Sequence, residues 1–219
     1  MLDGLPIRWL ESYGWLVLSG SADPHSEIRA LALSRCDASG AVAYISLAED
    51  FGDALMDDLA DLGAPAGYLV DLEDQDNNEI HERLSGAGMI IIEAGDDIHR
   101  LKRLMTQTVM HALKGALQDG ALILFEGSAA TLAGSYYVDR SGNVASAFKL
   151  VEEVFVAVDV RSFLGTEPAQ LVLQKRPNAV GVAIDRGSAL VLGPEKRIES
   201  WGEQQITFSL GDPSRQAEY

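Results

Sequence analysis

The sequence predicts an α/β protein whose mainly parallel central sheet has helices on both faces and a β-rich segment at its C-terminal end. Strand-like and helix-like segments alternate over the first two-thirds of the 219-residue chain, which implies right-handed βαβ crossovers and a three-layer α/β/α arrangement. The predicted strands are continuous apolar runs, as in a sheet buried on both faces. We expect residues 1–219 to form one domain, with a frayed polar tail over Asp212–Tyr219.

The predicted elements follow this order along the chain. The strands of the first part are Gly14–Leu18, Ala41–Leu47, Ala66–Val70, Met89–Ile92 and Ala121–Phe125. The helices between them are Glu27–Arg35, Phe51–Leu62, Asn77–Leu84 and Asp97–Leu117, the last interrupted near Thr106–Thr108. In the last third, a strand over Val154–Val158 and a helix over Pro168–Gln174 come first. Short strands separated by glycine turns follow, over Gly181–Asp185, Ser188–Leu192, Arg197–Trp201 and Gln204–Leu210.

Charge and composition exclude several classes of function. The formal net charge of −16 argues against nucleic acid or an anionic membrane as a partner, because phosphates would be repelled. No apolar run approaches the roughly 20 residues of a membrane span, and the N-terminal residues do not have the pattern of a signal peptide. Cys36 is the only cysteine, which suits a reducing compartment, so we expect a cytoplasmic protein.

The most informative segment is Ala121–Leu132, where an apolar strand stops at Glu126-Gly127-Ser128 and small residues then begin a helix. A serine on a sharp strand-to-helix turn is how many α/β hydrolases present a nucleophile. The alternative is that Ser128 caps the following helix, a common use of serine.

A second turn, Glu93–Asp97, follows the strand Met89–Ile92 directly. Its Gly95 amide and the Ala129 amide are candidate donors to an oxyanion. The alternative here is an ordinary turn in which Asp96 or Asp97 caps the helix that begins near Ile98.

Four segments in this order resemble motifs of the cyanophycinase and aspartyl dipeptidase family of serine peptidases. They are Ser19–Ala22, Glu93–Asp97, Glu126–Thr131 and Gly181–Arg186, the last followed by the strand that begins at Ser188. The resemblance covers most of the chain, roughly residues 14 to 210. It implies a class I glutamine-amidotransferase-like fold, a nucleophile at Ser128 and an oxyanion hole at Gly95 and Ala129.

The departures from the family pattern fall on the groups that should activate Ser128. Asp159 is kept, but Arg161 stands where the family has its catalytic histidine and Arg186 stands where it has its acid. An arginine does not accept a proton near neutral pH, and a serine without a base is a poor nucleophile.

The same comparison places two further carboxylates, Asp97 and Glu126, beside the presumed oxyanion site. There they would oppose a developing negative charge. We therefore hypothesise that these two carboxylates and the two arginines form one salt-bridged cleft, or that the arginine pair binds a carboxylate.

Three functions remain open at this point. The chain is a cyanophycinase-like homologue that has lost peptidase activity and binds an anion or small peptide, or an active serine hydrolase with an unrecognised base, or an unrelated α/β binding or assembly protein. All four histidines precede Ser128, and none stands where the resemblance would place the base. We expect no metal and no other cofactor, because no histidine pair has i,i+4 spacing and no G-x-G-x-x-G follows the first strand. Self-association into a homo-oligomer is expected from the resemblance.

Overall fold

A seven-stranded sheet forms the centre of the molecule in the computed structural model, which describes residues 7–23, 27–36, 40–47, 51–161, 167–202 and 205–211. Its five parallel strands lie in the order β2 (Trp15–Ser19), β6 (Leu122–Glu126), β5 (Ala87–Glu93), β3 (Ala41–Ser46) and β4 (Gly67–Leu69). Two antiparallel strands extend the sheet beyond β2, namely β12 (Ser188–Leu192) and β13 (Ile198–Gly202).

A second sheet has five strands, in the order β14 (Ile206–Leu210), β11 (Val180–Ile184), β10 (Val154–Val158), β7 (Tyr136–Val138) and β8 (Val144–Ser146). The inner three strands of this sheet are parallel, and its two edge strands are antiparallel. A short antiparallel pair is formed by β1 (Arg8–Trp9) and β9 (Val151–Glu152).

Helices cover both faces of the central sheet, so the fold is a three-layer α/β/α arrangement. One face packs against α1 (Glu27–Arg35) and α2 (Phe51–Asp61). The other packs against α3 (Asn77–Ser85), α4 (Ile98–Leu104), α5 (Gln107–Gln118) and the second sheet. The outer face of the second sheet is covered by α6 (Glu167–Lys175).

The predicted helices and strands are confirmed, with ends within two residues of those observed. The predicted start of the last strand at Gln204 and the predicted tail Asp212–Tyr219 lie outside the described residues. The expected break in the long helix lies between α4 and α5, where the Thr106 hydroxyl accepts the Val109 N–H and caps α5. The sequence did not predict β7 and β8. It also did not show that the C-terminal strands divide between two sheets, with β12 and β13 joining the central one.

No helix in the described part of the chain is long and apolar enough to cross a membrane.

Two glycine substitutions test how closely the two sheets meet. A Cβ on Gly20, just after β2, would lie 2.2 Å from the Asp185 carbonyl oxygen, whereas a Cβ on Gly115 within α5 would meet open space. We expect Gly20→Ala to lower the free energy of unfolding by about 2 kcal/mol because backbone must move. Gly115→Ala should raise it by about 0.5–1 kcal/mol, since alanine favours the helix. Urea unfolding measures both, and equal effects would contradict the packing described.

Candidate active site at the end of the central sheet

The tip of the turn after β6 is Gly127, not Ser128. Gly127 has a left-handed backbone (φ +54°) and begins a 3-10 helix that ends at Leu132. In a nucleophile elbow, the reactive side chain sits on the sharp, strained turn itself. A Cβ at Gly127 would face the loop after β2, with its nearest atom, the Ala22 nitrogen, 3.5 Å away. The position therefore has room for a side chain and carries none.

Ser128 lies one residue further, half-buried, with its hydroxyl bound to the backbone. Its Oγ donates to the Gly95 carbonyl oxygen at 3.2 Å, and its own carbonyl accepts the Thr131 hydroxyl at 2.8 Å. A carbonyl oxygen orients a hydroxyl but takes up no proton, so this contact does not activate Oγ. The alternative of a helix cap at Ser128 is wrong, because Glu126 occupies the N-cap position.

The turn after β5 is held by Asp97. This carboxylate accepts the Arg100 N–H at 2.9 Å, which caps α4, and pairs with Arg140 at 2.7 Å. The backbone hydrogen bond and then Arg140 lower the pKa of Asp97 below its usual value. Of the two interpretations of this turn, helix capping by Asp97 is confirmed. The predicted oxyanion donor Gly95 contributes its carbonyl to Ser128, as described above.

The turn at Gly127 and Ser128 is here called the elbow. Glu126 points away from it, into the layer between the central sheet and helices α1 and α2. The Arg29 guanidinium binds this carboxylate in a bidentate, forked arrangement, with Nε donating to Oε1 at 2.9 Å and Nη2 donating to Oε2 at 2.8 Å. The third branch, Nη1, donates to Asp58 at 2.8 Å. The Arg29–Glu126 pair is here called the buried fork. Both of its side chains are 1% exposed, so each charge is compensated by the other and not by water. Burial would lower the pKa of Arg29, but these two carboxylates raise it, and the guanidinium stays charged.

Glu93 stands directly beside Glu126, since the two residues are partners in the parallel pairing of β5 and β6. It is also buried, and accepts a hydrogen bond from Ser46 at 3.4 Å. Burial and then the neighbouring Glu126 charge raise the pKa of Glu93. Tyr44 lies in the same layer, where burial raises its pKa to about 12. The sequence signal for this polar layer was a glutamate at the end of each of two adjacent buried strands.

A crossed pair of salt bridges marks the corresponding end of the second sheet. Asp159 follows β10 and pairs with Arg186 at 2.9 Å, while Asp185 follows β11 and pairs with Arg161 at 3.4 Å. The pairing follows from the parallel register of β10 and β11, in which Val158 opposes Ile184.

The hypothesis that Asp97, Glu126, Arg161 and Arg186 form one salt-bridged cleft is wrong. Among the described residues each of the four charges pairs elsewhere, with Arg140, Arg29, Asp185 and Asp159 respectively. The physical reason is that the Glu126 side chain lies on the face of β6 covered by α1 and α2, where Arg29 is within reach, whereas Asp97 caps its own helix α4.

The loop after β2 connects the elbow to these salt bridges. Its Gly20 packs on the Asp185 carbonyl, its Ser21 hydroxyl accepts the Gly187 N–H at 3.4 Å, and Ala22 faces Gly127. Two of the segments that carry the family resemblance, Ser19–Ala22 and Gly181–Arg186, therefore meet at one edge of the molecule, next to the elbow.

The three described histidines contact aromatic rings and not Ser128. The His99 ring packs on Tyr137 with centroids 5.9 Å apart, and the His81 and His111 rings stack at 6.3 Å. His25 lies outside the described residues. Within the described ranges, no group of three or more His, Cys, Asp or Glu side chains could hold a metal ion.

The fold is that of known peptidase structures. A crystal structure of a peptidase from an acI-B1 actinobacterium superposes with a TM-score of 0.75 at 19% identity, covering 93% of this chain and 94% of that one. A protein provisionally designated peptidase E, from Listeria monocytogenes EGD-e, superposes with a TM-score of 0.67 at 15% identity, covering 87% and 99%. No protein-family model and no curated protein matches the sequence. At these identities the likeness establishes the fold.

Removing Arg29 tests the buried fork. Arg29→Met leaves the Glu126 charge buried and unpaired, so we expect a loss of about 3–5 kcal/mol in the free energy of unfolding. The double variant Arg29→Met/Glu126→Met should regain most of it, because the charge of Glu126 is removed together with its partner. Urea unfolding at neutral pH gives both values. A cost below about 1 kcal/mol for the single variant would contradict a paired buried charge.

The raised pKa of Glu93 sets the sign of a pH effect. Its protonation favours folding, so this contribution is complete below the ordinary pKa of 4.5 and is lost as the pH rises through the higher folded-state pKa. Glu93→Gln stays neutral and should gain stability relative to the parent protein as the pH rises from about 4.5 to about 8. Urea unfolding across this range measures the difference.

Glu73 gives the matched control for this pH effect. The hydrogen bond from Arg100 lowers the pKa of Glu73, so the contribution of its charge is complete above the ordinary pKa of 4.5 and is lost only below it. The difference between Glu73→Gln and the parent protein should therefore stay constant from about pH 4.5 to about 8. A Glu93→Gln difference that does not change with pH would contradict the raised pKa.

Proposed function

We propose that this chain is a peptidase-like protein, related to the cyanophycinase and aspartyl dipeptidase type, that does not hydrolyse peptides through Ser128 and instead binds a peptide or carboxylate at the elbow. One observation carries the proposal. The tip of the elbow is the side-chain-free Gly127, and the adjacent Ser128 hydroxyl is donated to the Gly95 carbonyl.

The positions where the resemblance places the base and the acid support the same conclusion. Arg161 and Arg186 stand there, and each is occupied by an ion pair with an aspartate. The hydrogen bond and charge of Asp159 raise the pKa of Arg186 further. A guanidinium in this state accepts no proton from a serine.

The charges around the elbow favour a ligand with a free carboxylate. The side chains of Arg161 and Arg186 are 86% and 66% exposed, so a carboxylate can reach both. The carboxylate of Asp159, which is also exposed and pairs with Arg186, suits the ammonium of the same peptide. Both side chains of the Arg186–Asp159 pair are exposed, and such pairs are worth about 0–1 kcal/mol, so a ligand can exchange with this pair at little cost.

A fluorophosphonate probe tests the absence of nucleophilic activity. We expect no labelling of this chain under conditions in which an active serine peptidase labels fully, and no difference between the parent protein and Ser128→Ala. Mass spectrometry of the intact protein measures the labelling. Labelling that disappears in Ser128→Ala would establish Ser128 as a nucleophile and overturn the proposal.

Calorimetric titration with an Asp-Arg dipeptide tests the binding part. Arg186→Ala should weaken binding about tenfold, the cost of one charge-assisted hydrogen bond. Arg83→Ala, on α3, removes a guanidinium of an exposed ion pair far along the chain and is the matched control. Equal affinity in all three proteins would place the ligand elsewhere.

A further inference from the structure

A second cleft lies at the opposite end of the second sheet from the salt bridges near the elbow. It has a volume of about 490 Å³. Its lining residues include Ser135 and Tyr136 at the start of β7 and Glu153 just before β10. Ser146 of β8, which pairs with Tyr136, also lines it. Because β10 is five residues long, its two ends are about 16 Å apart, and the two sites do not overlap.

Three of the chain's 17 basic side chains line this cleft, in a protein of net charge −16. Arg8 pairs with Glu152 at 3.6 Å, and Glu153 accepts the Tyr136 hydroxyl at 2.8 Å. In the part of the chain that the structure describes, neither Lys149 nor Arg176 lies within 4.0 Å of a carboxylate. Because the Tyr136 hydroxyl is neutral, the charge of Glu153 remains, and the three cations and two carboxylates of the cleft leave a net charge of +1.

The backbone holds two of the lining residues in costly conformations. Lys149 (φ +56°) and Glu153 (φ +54°) are left-handed, although neither is glycine. Hydrogen bonds fix both: the Lys149 N–H donates to the Gly134 carbonyl at 2.8 Å, and the Glu153 N–H to the Ser135 hydroxyl at 2.9 Å. Glycine would adopt this backbone without strain, and such strain is concentrated at ligand sites.

Arg176 is held over an aromatic ring at the same cleft. Its guanidinium carbon lies 5.5 Å from the centroid of the Tyr136 ring. Stacking on a ring leaves the N–H groups at the rim of a guanidinium free to donate, so the contact orients Arg176 without neutralising it.

We propose that this cleft, here called the basic cleft, binds a small molecule through a carboxylate or phosphate group held by Lys149 and Arg176. Its volume is in the range of small-molecule sites. Arginine offers paired N–H donors to a planar or tetrahedral oxyanion, and lysine adds a point charge.

Calorimetric titration of the full chain with succinate, and separately with inorganic phosphate, tests the proposal and distinguishes the two anion types. We expect at least one of them to bind saturably. Lys149→Gly and Arg176→Ala should each weaken that binding about tenfold. Arg83→Ala, which removes an exposed guanidinium on α3, is the matched control and should leave it unchanged.

Two variants separate binding from folding. Lys149→Gly places glycine at a left-handed position, so the Tm should not fall even though the affinity does. Glu153→Gln removes a negative charge from the basic cleft while keeping an acceptor for Tyr136, and should strengthen binding several-fold.

Three results would overturn the proposal. The first is an absence of saturable binding of either anion up to about 10 mM, a concentration that corresponds to roughly −3 kcal/mol. The second is binding that is lost in Arg161→Ala and kept in Lys149→Gly, which would move the anion to the elbow. The third is weaker binding in Glu153→Gln.

Discussion

The buried fork between Arg29 and Glu126 is the constraint on which the elbow depends. Glu126 is the last residue of its strand and is almost without solvent, so its charge requires the guanidinium that α1 supplies. The third branch of Arg29 extends the same contact to Asp58 on α2. Any shift of the end of β6 would separate these buried charges. Helices α1 and α2 therefore fix the position of the turn that starts at Gly127.

This constraint explains how the molecule holds a turn with the shape of a nucleophile elbow. The strand ends where a nucleophile elbow would begin, and the turn reverses through a left-handed residue as a strained elbow does. Gly127 adopts that backbone without strain but brings no reactive group. Ser128, one position later, falls on the first turn of the 3-10 helix, where the Gly95 carbonyl is its partner.

Local patterns in the sequence predicted the elements, and long-range pairing accounts for what they could not predict. Continuous apolar runs such as Ala121–Phe125 gave the strands of the central sheet, and helical spacing gave the helices. The three-residue strands Tyr136–Val138 and Val144–Ser146 are too short for a periodic signal. Arg29 and Glu126 are 97 positions apart, so no spacing rule joins them. A glycine before a serine also does not show which residue takes the left-handed backbone.

The two ends of β10 illustrate how pairing decides which ligand a charged site can take. At its carboxyl end, Asp159 and Arg186 neutralise each other, so a zwitterionic ligand there replaces both of the charges that it displaces. At its amino end, the carboxylate of Glu153 is engaged by a neutral hydroxyl, and Arg176 rests on a ring. The net positive charge left there needs no ion pair to be broken before an anion binds. The two proposed sites on this sheet therefore call for different ligands, a zwitterion at the carboxyl end of β10 and an anion at its amino end.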